Sequence, residues 1–294
     1  MKEITIISGK GGTGKTTITA ALATLGDKLV LCDSDVDAPD LHLILKPSIL
    51  ESHVFEGSWV ATIDQDLCDN CGICAEYCRF DAISFKESGK WSINPFKCEG
   101  CRLCERICPS SAISSERTTN NSWFVSQTRA GLMTHARMGA GEENSGKLVT
   151  KIRQKARELA QENGSKFLLT DGPPGSGCAT IASVTGTDAV LVVLEPSLSS
   201  LHDARRVIEL VQDFDSPVFA VINKYDIHPG MTQQIELYLE QCQVKLLGKI
   251  PFDERVVMAM IQEKSIHEFD PDSLYSLGLA SVWKQLYEVP AQGQ

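Results

Sequence analysis

Residues 8–17 read "SGKGGTGKTT", after the apolar run "EITII" and before the apolar-periodic "TTITAALATLG". Glycines let a backbone turn through positive φ and approach a ligand closely, and lysines supply point charges that suit phosphate. A strand, a glycine loop and a helix in that order form the context of a phosphate-binding loop. Gly9, Gly14, Lys15 and Thr16 fill the fixed positions of G-x-x-x-x-G-K-[ST]. The loop residues Gly11, Gly12, Thr13, Gly14, Lys15, Thr16 and Thr17 are therefore expected to cradle a nucleoside triphosphate at the positive end of the helix. Lys15 reaches the β and γ phosphates, and the Thr16 hydroxyl binds Mg²⁺.

The surrounding chain fits that loop. Short, nearly all-apolar runs read as parallel strands covered on both faces: "EITIIS", "KLVLCD", "KFLLTD", "AVLVVLEP", "PVFAVIN" and "KLLGKIP". Helix-period segments at 145–163, 200–214, 230–242, 253–264 and 273–287 alternate with the later ones. This is the rhythm of a doubly wound, mostly parallel α/β sheet. "WFVSQTRAGLMTHARM" alternates only in part and reads as a hairpin or edge strands. "FLLTD" ends a strand in Asp171, which suits a carboxylate on the magnesium side.

The 294 residues, 43% apolar and 22% charged, fit a globular protein, and no run nears a membrane-spanning length. Met1 leads straight into a strand without a charged, apolar leader, so a cytoplasmic location without a stable membrane anchor is expected. The net charge of −10 argues against nucleic acid as a partner.

The α/β rhythm breaks between 62 and 117. Residues 66–84 and 96–114 align without a gap, and seven of nineteen positions match, including four cysteines in each copy. Eight of the eleven cysteines lie here. In a long chain without a leader they point to metal rather than disulfides. Cys68-x₂-Cys71-x₂-Cys74-x₃-Cys78 followed by Cys98-x₂-Cys101-x₂-Cys104-x₃-Cys108-Pro109 is the bacterial ferredoxin spacing. In that spacing the fourth cysteine serves the other cluster. One [4Fe–4S] cluster is thus assigned to Cys68, Cys71, Cys74 and Cys108, and the second to Cys98, Cys101, Cys104 and Cys78. Zinc, the alternative, prefers paired C-x₂-C units. Arg79 stands where the second copy has Pro109. The expected organisation is a P-loop NTPase domain over 1–61 and 118–294, with a bacterial-ferredoxin-like α+β insertion over 62–117.

Lys10 is extra to the phosphate-loop pattern. K-G-G-x-G-K-T-T resembles the deviant loop of the MinD/ParA class of ATPases, which includes Mrp-type carriers and the nitrogenase iron protein. The resemblance implies ATP and Mg²⁺ as ligands. It also implies that Lys10 reaches across an ATP-dependent homodimer, or a heterodimer with a paralogue, to the partner's phosphates. "LVLCDSDVDAPDLHL" resembles the family's first switch, which places Asp33 by the magnesium and gives Asp35 the attacking water. "DGPPG" resembles the second switch, with Gly175 swinging toward the γ-phosphate. "VINKYD" resembles the base site, where Asn223 and Asp226 would bind adenine; N-K-x-D also resembles the guanine reader of GTPases. "IPFDERVV" matches the stretch covering the base. With "HARMGAGEENSGKLVT" and "LEPSLSSLHDARR", the whole chain resembles MinD-superfamily ATPases carrying an inserted ferredoxin domain.

The catalytic set expected from these motifs is Lys10, Lys15 and Asp35, with Thr16, Asp33 and Asp171 at the magnesium. The leading function is ATP-gated electron transfer through two [4Fe–4S] clusters to a redox partner protein. An Mrp-type cluster carrier is the alternative, although residues 228–294 hold only Cys242 and lack the C-x₂-C pair of such carriers. A MinD/ParA-like spatial organiser is a third reading; "SVWKQLYEVPAQGQ" reads as core rather than as a basic membrane helix. A cobyrinate-type amide ligase would want room for a glutaminase domain.

Overall fold

The computed structural model describes residues 1–139, 145–214 and 216–291. Residues 140–144, within the stretch likened above to the ferredoxin-bearing subgroup, and 292–294, at the end of the C-terminal stretch, lie outside the described residues. The chain divides into two compact units. One comprises Met1–Ser52, Trp123–Arg137 and Ser145 onward; the other comprises His53–Ser122 with Met138 and Gly139.

The first unit is built on a nine-stranded sheet. From one edge its strands are Lys245–Ile250, Val218–Asn223, Ala189–Leu194, Lys2–Ser8, Phe167–Pro174, Leu29–Asp33, Gly131–Arg137, Asn121–Thr128 and Ser48–Phe55. The first seven pair in parallel. Alternate residues of Ala189–Leu194 enter different cores: Ala189, Leu191 and Val193 join one cluster, and Val190, Val192 and Leu194 the other. Two buried faces explain the unbroken apolar run. The helices Lys15–Leu25 and Leu274–Glu288 pack into the first core, and Leu198–Gln212 and Pro229–Gln241 into the second. In the C-terminal helix Tyr275, Ser276, Leu279, Val282 and Leu286 are all buried, so its apolar face is core.

"WFVSQTRAGLMTHARM" forms two strands joined by Arg129 and Ala130, and they extend the main sheet: Gly131–Arg137 pairs in parallel with Leu29–Asp33. Register then decides the chemistry. Asp171 lies opposite Asp33 across neighbouring strands, so two carboxylates meet at the carboxyl edge, where open α/β sheets bind ligands.

The second unit starts nine residues before the expected 62, because Trp59–Ile63 pairs antiparallel with Ile113–Arg117 and so belongs with the cysteine repeat. A second ribbon pairs Ile83–Phe85 with Trp91–Ile93. Each ribbon takes one strand from each copy of the repeat. The duplication also extends to backbone detail. At a spacing of thirty residues, Asn70 and Gly100, Gly72 and Arg102, and Asp81 and Ser111 all adopt positive φ. The Asp64 N–H donates to the Ala112 carbonyl and the Asn94 N–H to that of Ala82, both at 2.7 Å, so the copies exchange equivalent bonds. The core here is small: Ala61, Cys74, Ala82, Ile83 and Ile113.

Candidate functional site

The phosphate loop bends into its helix at Gly14, whose φ is 91°. A Cβ there would meet Asn223 Nδ2 at 2.3 Å, so only glycine lets the loop lie against that amide. Behind the loop, Lys15 Nζ lies 3.0 Å from Asp171 Oδ1 and 3.7 Å from Asp35 Oδ2. Thr16 Oγ1 donates to Asp171 Oδ2 at 2.7 Å, and Thr19, one turn along the helix, donates to Oδ1 at 2.9 Å. Asp33 accepts from the Asp35 and Leu41 N–H groups, both at 3.3 Å.

Electrostatics follow from this crowding. Burial disfavours the Lys15 charge, but Asp171, Asp35 and Asp33 outweigh it and raise the lysine's pKa. Burial and then the Asp171 charge push Asp33 well above the carboxylate range. Burial lifts Asp35 to about 6 despite the opposing pull of Lys15. One ammonium faces three carboxylates, a deficit of positive charge that suits a divalent cation. Mg²⁺ needs only one or two protein oxygens when phosphates complete its shell, and Thr16 with Asp171 or Asp33 fits that donor set.

These groups open on a cavity of about 480 Å³. Gly11, Gly12, Thr13, Gly14, Lys15, Thr16, Thr17, Asp35 and Asn223 line it, as do Asp40 and Ile44 on one wall and Phe252, Val256, Val257, Met260 and Tyr275 on another. Asn223 is 2% exposed; its Nδ2 donates to the Thr13 carbonyl at 2.9 Å, tying the base-side strand to the phosphate loop. The Tyr275 hydroxyl also meets Asn223, and burial raises its pKa. Asp226 is not among the residues lining the cavity; its Oδ1 accepts the Phe252 N–H at 2.7 Å, which ties it to the "IPFDERVV" segment.

Lys10 pairs within its own chain. Its Nζ lies 2.7 Å from Glu195 Oε1, while Lys224 Nζ takes Oε2 at 3.0 Å and also donates to the Gly12 carbonyl. Burial pushes the Glu195 carboxyl up, but the two lysines outweigh it and hold it below its ordinary value. In the second switch, the Gly175 N–H donates to Ser8 O at 2.9 Å, and its carbonyl accepts from Thr180. Glu195 was missed in the sequence although it ends an apolar strand, the position that exposed Asp33 and Asp171. Tyr275 comes from a helix far along the chain and leaves no local signal.

In the second unit the eight cysteines gather in two groups. Cys68, Cys71, Cys74 and Cys108 line one small cavity; Cys78, Cys98, Cys101 and Cys104, with Cys74 again, line another. The fourth cysteine of each copy thus sits with the other copy's three. Trp91, whose buried Nε1–H has no partner, lines the first cavity. The Ala112 N–H donates to Cys108 Sγ at 3.3 Å. The cavities measure about 10 and 30 Å³. Among the described residues, no three or more His, Cys, Asp or Glu converge on one metal ion.

Comparison with known proteins bears on the nucleotide end. Residues 4–266 match the family described as CobQ/CobB/MinD/ParA nucleotide binding domain. The uncharacterized protein MJ0578 of Methanocaldococcus jannaschii is 37% identical over 257 residues, 85% of this chain and 84% of that protein. The septum site-determining protein MinD of Bacillus subtilis is 24% identical over 302 residues, 99% of this chain and 91% of that protein. Among solved structures, the septum site-determining MinD of Pyrococcus horikoshii complexed with Mg-ADP shares the fold, with a TM-score of 0.57 at 17% identity over 98% of this chain and 96% of that one. These names speak of septum placement and of a nucleotide; none speaks of iron–sulfur clusters, electron transfer or the nitrogenase iron protein. With its phosphate loop and doubly wound sheet, the chain belongs to the CobQ/CobB/MinD/ParA family and is a P-loop ATPase.

Proposed function

We propose that the chain is a nucleotide-driven dimeric switch of the MinD/ParA kind, loaded with ATP and Mg²⁺. The observation that carries this reading is Lys15, a lining residue of the 480 Å³ cavity, held among Asp171, Asp35 and Asp33. When bound, Mg²⁺ would neutralise phosphate charge, and Thr16, Asp171 and Asp33 are the residues that would hold it. Lys15 exchanges its carboxylate partners for the β and γ phosphates. The loop N–H groups from Gly11 to Thr17 take the remaining phosphate oxygens. Asp35, exposed to the cavity and titrating near 6, accepts a hydrogen bond from the attacking water and orients it. Lys10 leaves Glu195 to reach the partner copy's phosphates, which makes dimer formation depend on ATP. The base packs against Val256, Val257 and Met260 beside Asn223.

The MinD names among the relatives favour an output of the MinD/ParA type, in which the ATP-bound dimer engages a partner. No helix among the described residues is long and apolar enough to cross a membrane. The test is mass measurement with ATP, ADP or no nucleotide, together with phosphate release. A chain that stays monomeric with ATP and releases no phosphate would overturn the reading.

The cysteine groups favour a second reading, in which the output is redox. Cys68, Cys71, Cys74 and Cys108 would hold one [4Fe–4S] cluster and Cys98, Cys101, Cys104 and Cys78 the other, in a ferredoxin-like unit. Such clusters would supply one-electron transfer to a protein partner. The orphaned Trp91 N–H and the Ala112 N–H on Cys108 Sγ are donors of the kind that cluster sulfurs accept. Iron and sulfide analysis of anaerobically purified protein decides this reading, and the absence of both would end it.

A further inference from the structure

Arg129 occupies the two-residue connection between the strands Asn121–Thr128 and Gly131–Arg137, and nothing in the nucleotide reading uses it. Its turn is fixed: Thr128 Oγ1 donates to the Gly131 carbonyl at 2.8 Å and accepts the Ala130 N–H at 3.1 Å. From that mount the guanidinium reaches three separate segments. Nη2 shares its two hydrogens among the Ile44 carbonyl at 2.9 Å, the Glu263 carbonyl at 3.0 Å and Glu268 Oε2 at 2.8 Å, and Nε donates to Glu268 Oε1.

The placement of those partners gives the contact its meaning. Ile44 belongs to the helix Leu41–Leu45, which follows Asp33 and Asp35 and forms one wall of the nucleotide cavity with Asp40. Glu263 follows the helix Arg255–Ile261, whose Val256, Val257 and Met260 form another, apolar part of the cavity lining. Helices of five and seven residues are too short to hold themselves and take their position from tertiary ties. A cation at carbonyls near the ends of both also matches the negative end of each helix dipole. Lys46 and Glu263, each in the left-handed conformation just past its helix, form a second ion pair between the same segments. Glu268 is fixed in turn by its capping box with Ser265. Val257 and Met260, 60% and 40% exposed, present apolar surface at the cavity.

We propose that Arg129 is a positioning residue for the nucleotide base: it sets the separation of the two cavity walls, and so governs binding of the base rather than of the phosphates. The inference rests on the cavity being the nucleotide site. The planar fork is engaged only at Glu268, which takes both Nε and Nη2.

The test compares Mg·ATP with Mg·tripolyphosphate, which has the phosphates and no base, by calorimetric titration of the full chain. Arg129→Ala should weaken ATP about tenfold and tripolyphosphate less than twofold, as expected for losing several charge-assisted bonds behind one wall. Glu268→Gln, which keeps its capping geometry, should give the same pattern at smaller size and serves if Arg129→Ala does not fold. Lys15→Ala should weaken both ligands. Equal losses for the two ligands in the Arg129 and Glu268 variants would reduce the residue to a structural tie and overturn the proposal, as would unchanged ATP affinity. A wild-type chain that binds ATP no better than tripolyphosphate would overturn it too, whereas one that binds neither would sink the nucleotide site itself.

Discussion

The two ends of the chemistry are prepared in opposite ways. At the phosphate loop, the reactive side chains already have internal partners: Lys15 with Asp171, Thr16 with Asp171, Lys10 and Lys224 with Glu195, Asn223 with Thr13. A ligand there wins by exchange, replacing bonds made within the chain, and the surrounding fold has a large apolar core of its own. In the cysteine unit, five small or medium residues form the buried core, and a buried indole N–H has no partner. A unit of this size with so little buried apolar surface ordinarily needs a staple such as a metal centre. Removing a ligand residue should therefore silence the first site and leave it folded, but loosen the second.

The largest effect expected is at Lys15. Lys15→Ala should lower ATP turnover about a thousandfold, through loss of charge stabilisation at the transferring phosphate, while the melting temperature of the sheet unit moves little. Phosphate release with parallel calorimetry checks both halves, and a folded variant with normal turnover would break the comparison at its strong end. Next is acidity. Burial raises Asp35 to about 6, and only its ionised form gives water a charge-assisted acceptor that can draw on its proton. Turnover should thus be full above that value and fall about tenfold per pH unit below it, as for any single essential base. Asp35→Asn should be inactive across the range, and a flat wild-type profile from pH 5 to 8 would remove Asp35 from that role.

A smaller effect tests exchange directly. Glu195→Gln weakens the hold on Lys10 and Lys224, and pairs this exposed contribute modestly, so ATP-dependent dimerisation should tighten by about threefold. Sedimentation at several protein concentrations measures it; weaker dimerisation would show that Glu195 serves the dimer instead of restraining its lysine. The smallest is a change of about one half: Cys74→Ser should remove about four of about eight iron atoms per chain and increase protease cutting within 53–122. Nucleotide affinity should be unchanged. Full iron content in that variant would detach the cysteines from the metal reading.

Much of the sheet was legible because its physics is local. Residues buried on both faces must be apolar, so Ala189–Leu194 and its parallel neighbours stand out as runs, and Asp33 and Asp171 mark their ends. A strand wet on both faces was harder: "SILESHVF", exposed along most of its length, shows no buried alternation. The repeat was visible in its cysteines, but its first strand was not, because Trp59–Ile63 is defined only by pairing with Ile113–Arg117, fifty residues on. Side-chain pairings between distant segments left no trace at all. Lys10 with Glu195, Asp226 with the Phe252 N–H, and Arg129 with Ile44 depend on the completed fold.

The exchange of strands within the repeat makes the two halves mutually dependent. Each ribbon is completed by the other copy, and so is each group of four cysteines. Neither copy is a miniature of the whole that could be excised and kept. A break in the turn at Glu87–Lys90 would leave two fragments, each carrying three sulfurs for one cavity and one for the other, able to recover their shape only by finding each other. The duplication that created the unit also bound its products into an inseparable pair.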